Sequence, residues 1–481
     1  MNSPSRPLRS LLVLVASLLA APLGAQSPAA PAAKLLVRNA TIVTLEEGQP
    51  DPFSGYLVVA ADGTIAAVAA GEPPAALAAQ EVYDAGGKVI MPGFLSGHSH
   101  LWQSAFRGIG ADQYVTGWLL LIHRTYGPFF NTGDPYYFTL HGALDYLSHG
   151  ITTTFNYSQN LNFPQPLYEE QFQAELDAGA RFIFGYAVTP RPDIPTARKN
   201  FEAFYSRVQA MPPNPLLLKV SLVGDGYTKE FFAYEESLIK EHDLDLEMHY
   251  VEAPGAPSEK QRASWDDIKA AGLVGPKLSF AHFIHTDDQI VKDAGAAGAG
   301  MIWNPLSNGR LGSGLADVPK YQKAGIAIGM GIDGQASADI SDPFENMRMG
   351  MYGLRMKYQE ATILMPIDVL KMHTIGTAKV LGVADKVGTL KVGKFADFLV
   401  VDPANIDTGP VTDLYATLVF ACKISNLERV YVGGNFVVER GVPRDHDMAQ
   451  IAREVQGRVD AIRARLTDSR KALSSFPSSP P

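Results

Sequence analysis

Hydrophobic and polar positions divide the chain into two textures. At 35–43 (LLVRNATIV), 56–59 and 64–68, short apolar runs partly alternate with polar residues and are cut by Gly and Asp. Side chains on a strand point to opposite faces in turn, so this texture predicts a small sheet. It returns at 398–402 (FLVVD) and 427–438 (LERVYVGGNFVV), where GGN separates two β-rich runs as a hairpin turn does. Two such segments, far apart in sequence and flanking one long block, predict a single discontinuous accessory domain.

The long block has the second texture, in which strand-like and helix-like segments alternate. Its eight apolar strand candidates are 90–100, 151–157, 181–188, 216–223, 244–251, 277–284, 301–305 and 326–333, with helical stretches such as 136–149 and 261–271 between them. An α/β fold follows. Eight units favour a closed (β/α)8 TIM barrel, and a doubly wound open sheet is the alternative the pattern leaves. After Asp445, Ile451, Val455, Val459, Ile462 and Leu466 recur at helical spacing, which predicts a packing helix with a solvated face. The final SSFPSSPP is expected to lack fixed structure.

The N-terminal stretch changes where the protein is expected to work. Arg6 and Arg9 precede the apolar run 11–20 (LLVLVASLLA), and small residues lead to a cleavage site after Ala25. That is the layout of a secretory signal peptide, and the run is shorter than the roughly 20 residues a membrane span requires. A periplasmic or secreted protein, with no membrane anchor in its mature form, is the expectation. Expected boundaries are a signal at 1–25, a linker at 26–34, the accessory domain at 35–90 and 386–445, the barrel at 91–385, and a helix with tail at 446–481. The single cysteine, Cys422, allows no intrachain disulfide. A net charge of -9 with no block of Lys and Arg argues against nucleic acid as a partner.

Candidate chemistry begins at GHSHLWQSAFRG, where His98 and His100 stand one residue apart at the end of the first strand candidate. Residues i and i+2 of a strand point the same way, so both can face a barrel mouth. Later strand candidates end in His249 (EMHYVE), His282 (FAHFIH) and Asp333 (GIDG). Singly, each has a bland reading as a hydrogen-bonding or turn residue. Together they fall at the rim where barrels of this class assemble active sites, and imidazoles with a carboxylate suit Zn²⁺ or a related divalent ion. A divalent ion lowers the pKa of water toward about 7, and Glu252 offers a general acid–base group. His123, His141, His149, His242 and His373 lie in helical or loop stretches and read as structural.

The ordered motifs PGFLSGHSHLWQSAFRG, HGITTTFNYS, MHYVEA, FAHFIH, NPLSNGRLGSGLADVP, GIDGQAS and VGTLKVGKFADFLVVD resemble the amidohydrolase superfamily, in its cytosine deaminase and triazine-hydrolase (ATZ/TRZ) branch. The resemblance spans about 35–443. It implies a (β/α)8 barrel with a small β-sandwich from both chain ends, and one divalent metal ion, zinc with iron as the alternative. The implied ligands are His98, His100, His249 and Asp333. Glu252 becomes the proton shuttle, His282 polarises the reacting centre, and Asp333 also accepts a proton from water. Asn304 and Asn308 shape the pocket, and Trp102, Gln103 and His285 join them as expected substrate contacts. The implied reaction is hydrolytic deamination of a heterocyclic or guanidine-like small molecule, and a homo-oligomer is compatible with the resemblance.

Departures bear on the substrate. Relatives acting on adenosine-like substrates often carry a histidine after the fourth strand, in a G-P-H-S-P-Y setting; here Gly224-Asp225-Gly226-Tyr227-Thr228 has none, which argues against a nucleoside-type substrate. The loop Gly108 to Tyr114, with Trp118, offers groups able to stack on a planar ring. Alternatives are displacement of a non-amine leaving group, as in triazine hydrolases, and a binuclear amidase or dipeptidase in which Lys219 would be carboxylated. A non-catalytic binding protein has no need of Glu252 as an acid.

Overall fold

A computed structural model describes residues 33–49, 52–158, 168–187, 193–224 and 226–474. The expected signal peptide, most of the linker and the tail from 475 lie outside them. Eight parallel strands run in sequence order round a barrel: Phe94–Ser99, Ile151–Ser158, Arg181–Ala187, Leu217–Gly224, Leu246–Tyr250, Leu278–His282, Gly300–Trp303 and Ala327–Met330. Several are buried at every position, as strands covered on both faces must be. Between the eighth and first strands, single contacts close the seam. Asp333 N donates to His98 O at 3.0 Å, and Ile332 N donates to Ser96 Oγ at 3.0 Å.

The apolar run expected as one strand over 90–100 is two. Val89–Pro92 pairs with Phe398–Val401 in a second sheet, whereas Phe94–Ser99 pairs with the second barrel strand. Gly93 is the pivot, with its N–H on Asp397 O at 3.0 Å. A Cβ there would lie 2.1 Å from Thr152 Oγ1, so only glycine fits the crossing. The linker is shorter than expected, because Ala33 and Lys34 already belong to the strand Ala33–Ile42. The helix expected over 261–271 breaks at Ser264 into Ala256–Ala263 and Trp265–Ala270.

The second sheet is mixed and nine-stranded, and draws on both flanking segments. It folds round its own core of Leu35, Val37, Ile42, Leu57, Val59, Ile90, Phe398 and Tyr431. The expected hairpin joins Leu427–Val432 to Asn435–Glu439, and Gly433 and Gly434 both take positive φ (55° and 68°) between them. A buried ion pair ties sheet to barrel. Arg181 Nε and Nη2 meet Asp397 Oδ2 and Oδ1 at 2.6 and 3.0 Å, and the guanidinium lies 3.5 Å above the Phe395 ring. The helix Met448–Ser474 buries Ile451, Val455, Val459 and Ile462 of the expected stripe, and Leu466 is half-buried.

Candidate active site

Each ligand-type side chain stands at or just beyond a strand end, on one mouth of the barrel. His98 and His100 straddle the end of the first strand, His249 lies in the fifth, His282 ends the sixth, and Asp333 follows the eighth. His100 Nε2 lies 3.3 Å from His249 Nε2, and Asp333 Oδ1 lies 3.5 and 3.4 Å from Nε2 of His98 and His100. Two ligand atoms at about 2.0–2.1 Å from a tetrahedral zinc stand about 3.3–3.4 Å apart, which these three separations match, and His98, His100 and Asp333 converge as a group able to hold a divalent ion. His98 Nε2 is buried with no hydrogen-bond partner, as a nitrogen kept for a cation would be.

The other ring nitrogens are held. His98 Nδ1 meets Glu247 Oε1 at 2.6 Å, and His100 Nδ1 donates to Tyr157 O at 3.0 Å. Both pairings aim Nε2 at the common centre and fix the tautomer, as carboxylate and carbonyl partners of metal-binding histidines do. Burial holds His98, His100 and His249 below the usual imidazole range, so all three are neutral, the ligand form.

His282, Glu252 and Asp333 form a second group beside the first. His282 Nε2 lies 3.7 Å from Glu252 Oε2 and 3.9 Å from Asp333 Oδ2. Asn308 Nδ2 donates to His282 Nδ1 at 2.7 Å, which leaves the ring's proton on Nε2. Burial holds His282 down at about 3, so Nε2–H is a neutral donor. Burial, with the Asp333 charge second, pushes Glu252 up to about 8, so it carries a proton at neutral pH. Val251, His282 and Asp333 all adopt left-handed backbone, at φ of 50°, 71° and 70°. Non-glycine residues held there cost about 1–3 kcal/mol each, and such strain gathers at functional sites.

The expected substrate contacts divide. Gln103 is fully buried with both amide atoms unpartnered, against Gly334 beside Asp333. Asn304 turns toward Gly331 with a buried, unpartnered Oδ1, and Asn308 acts through His282. Trp102 is fully buried, with its ring edge-on to Phe106, His123 and Phe130. His285 turns from the centre and bonds Ser313 O at 2.7 Å. His123, read as structural, is buried between Trp102 and Trp118. His373 is structural, spanning Leu95 O and Asn346.

Four supporting residues were not anticipated. They are Glu247 behind His98, Ser307 donating to Asp333 Oδ2 at 2.5 Å, Ser313 donating to Glu252 Oε1 at 3.2 Å, and Tyr146 on the Asp333 carbonyl. Glu247 had a signal: it stands two residues before His249 and so shares that residue's side of the strand. Lys219, the lysine a binuclear centre would carboxylate, instead pairs with Asp245 and Leu381 O at the opposite end of the barrel.

The amidohydrolase family model matches residues 89–437. The chain belongs to the amidohydrolase family. Among relatives of this amidohydrolase, the 5-methylthioadenosine/S-adenosylhomocysteine deaminase of Desulforudis audaxviator (strain MP104C) is 30% identical over 428 residues, covering 85% of this chain and 94% of the relative. The protein of the same name from Bacillus cereus (strain 03BB102) is 27% identical over 425 residues, covering 86% and 96%. A zinc-bound adenosine deaminase from Xanthomonas campestris shares the fold at a TM-score of 0.79 and 21% identity, covering 90% of this chain and 99% of that one. The zinc complex of atrazine chlorohydrolase TrzN from Arthrobacter aurescens TC1 does so at 0.77 and 22%, covering 88% and 100%. The barrel with its second mixed sheet is the expected fold. Family and deaminase-named relatives support a divalent metal and hydrolytic cleavage of a carbon–nitrogen bond that is not a peptide bond.

Proposed function

We propose that the protein is a mononuclear zinc aminohydrolase that replaces an amino group on an sp² carbon of a small heterocycle by oxygen, releasing ammonia. The observation that carries this is the triangle of Glu252, His282 and Asp333 beside the ligand set. Metal binding alone has no use for a protonated, buried glutamic acid or a neutral imidazole donor. The site of Lys219 removes the support for a binuclear centre.

A divalent ion held by His98, His100, His249 and Asp333 supplies Lewis-acid activation of water near neutral pH. Asp333 Oδ2, oriented by Ser307, accepts a proton from the attacking water. Glu252, oriented by Ser313, delivers a proton to the substrate's ring nitrogen as the carbon becomes tetrahedral. His282 Nε2–H donates to the group at the attacked carbon. The carbon–nitrogen bond then breaks: the amine leaves as ammonia with the proton Asp333 took from water, and the new hydroxyl returns its proton to Glu252 as the carbonyl forms.

The deaminase-named relatives put aminopurine nucleosides on the list of candidates, although the fourth strand's end lacks the histidine noted above. The test is ammonia release across purines, 5′-methylthioadenosine, pyrimidines, triazines and guanidines, with metal analysis expected to give one zinc per chain. Chloride or alkylamine release from a triazine, without ammonia from any amine, would favour the non-amine alternative. Glu252→Gln is expected to lower kcat about 10²–10⁴-fold with zinc retained; full turnover would remove Glu252 from the chemistry. Export is the further part of this reading, and it rests on residues 1–25. A mature N-terminus at Gln26, read by mass spectrometry of the native protein, supports it; an intact Met1 overturns it. A small-molecule substrate, without nucleic acid or membrane as partner, completes the reading, and the oligomeric state follows from light scattering.

A further inference from the structure

Helix Pro305–Arg310 does two jobs at once. From its interior, Ser307 reaches Asp333 and Asn308 reaches His282. From its last residue, Arg310 reaches across the mouth to the segment that follows the first histidine pair. Arg310 Nη1 and Nη2 donate to the carbonyls of Gly110 and Ile109 at 3.1 and 2.8 Å, and Nε donates to Asp339 Oδ2 at 2.7 Å. The other oxygen of Asp339 accepts the Gly108 N–H at 2.6 Å.

This segment needs such a hold. Gly108 and Gly110 both take positive φ (74° and 59°), and the stretch between them lies in no helix or strand. Glycines in this conformation leave the chain free to move unless something else fixes it. Arg310 fills three donors of its planar fork at this one place, and bonds of this charged kind are about twice as strong as neutral ones. Asp339 itself takes left-handed backbone, at φ 64°, a turn conformation that aspartate tolerates.

The held segment leads to Tyr114. This ring is 69% exposed, although its edge lies 3.3 Å from where a Cβ on Gly312 would sit. Gly312 adjoins Ser313, which hydrogen-bonds Glu252. Tyr114 thus stands at the rim, open to solvent, beside the loop that orients the acid.

We propose that Arg310 and Asp339 are positioning residues that lock the rim segment 108–114. They hold the Tyr114 ring where it meets the part of the substrate that extends beyond the reacting carbon. The kinetic half of this rests on the deaminase reading above; the structural half does not.

Two measurements on the zinc-loaded full chain separate them. In hydrogen–deuterium exchange without substrate, Arg310→Ala and Asp339→Ala are each expected to speed exchange across 108–114 about tenfold, and the double variant no further. Unchanged exchange in Arg310→Ala, or fully additive effects, overturns the clamp. In steady-state turnover of 5′-methylthioadenosine, Arg310→Ala and Tyr114→Ala are expected to raise KM about tenfold with kcat within about threefold. Arg310→Lys, which keeps the charge without the fork, should fall between wild type and Arg310→Ala. A fall in kcat at unchanged KM overturns the role of Tyr114. If 5′-methylthioadenosine is not turned over, the nucleoside reading falls, and exchange alone decides the clamp.

Discussion

At the N-terminal end of the barrel, Arg181 and Asp397 are buried and fill one another's hydrogen-bonding positions, with Gly433 N and Pro215 O taking two more. At the C-terminal end, His98 Nε2, both amide atoms of Gln103 and Asn304 Oδ1 are just as buried and have no partner. A buried polar group without a partner costs about 1–3 kcal/mol. One end therefore uses its polar residues to hold two sheets together. The other keeps them unsatisfied for an ion and a substrate. Burial alone does not separate these two sets of side chains; their hydrogen bonding does.

The contrast can be broken from either side. The largest effect is expected at the open end, where His249→Ala should lose the bound metal and bring turnover to background while the thermal midpoint of metal-free protein stays near wild type. Retained zinc, read by elemental analysis, would mean that this end is not the metal centre. At the closed end, Arg181→Met strands Asp397 and should cost roughly 3–5 kcal/mol, seen as a lowered thermal midpoint, with zinc per folded chain unchanged. The double variant Arg181→Met, Asp397→Leu should recover much of that loss. Glu247→Gln probes the join between the two kinds of site, and should weaken zinc binding about 10–100-fold in a chelator competition with the fold intact.

The smallest effect lies on the outer surface. The Lys269 ammonium beside Asp293, with the Trp265 indole N–H second, holds that carboxyl down at about 2. A lowered carboxyl pKa stabilises above the unfolded group's value near 4 and loses that contribution as pH falls toward 2. The melting temperatures of wild type and Asp293→Asn should therefore differ at pH 6 and converge by pH 2.

The barrel was legible in the sequence because it rests on the alternation of strands and helices, and the candidate ligands could be picked out by position. Strand ends put side chains at a known rim, and His or Asp there has a recognisable chemistry. The supporting residues were not legible. Ser307 and Ser313 look like any loop serine until the fold brings Asp333 and Glu252 against them. The run over 90–100 hid a change of sheet, since apolar residues suit either core and only the Gly93 crossing marks the exchange.

The pairing of Val89–Pro92 with Phe398–Val401 also sets an order of events in folding. The strand that feeds His98 into the barrel waits for a partner made some three hundred residues later, so the second sheet cannot be finished on a growing chain. A chain that stops short of Val401 would leave Val89–Pro92 as an open apolar edge, a template for aggregation. Truncation from the C-terminus should thus be far less tolerated than the distance of those residues from the catalytic mouth suggests.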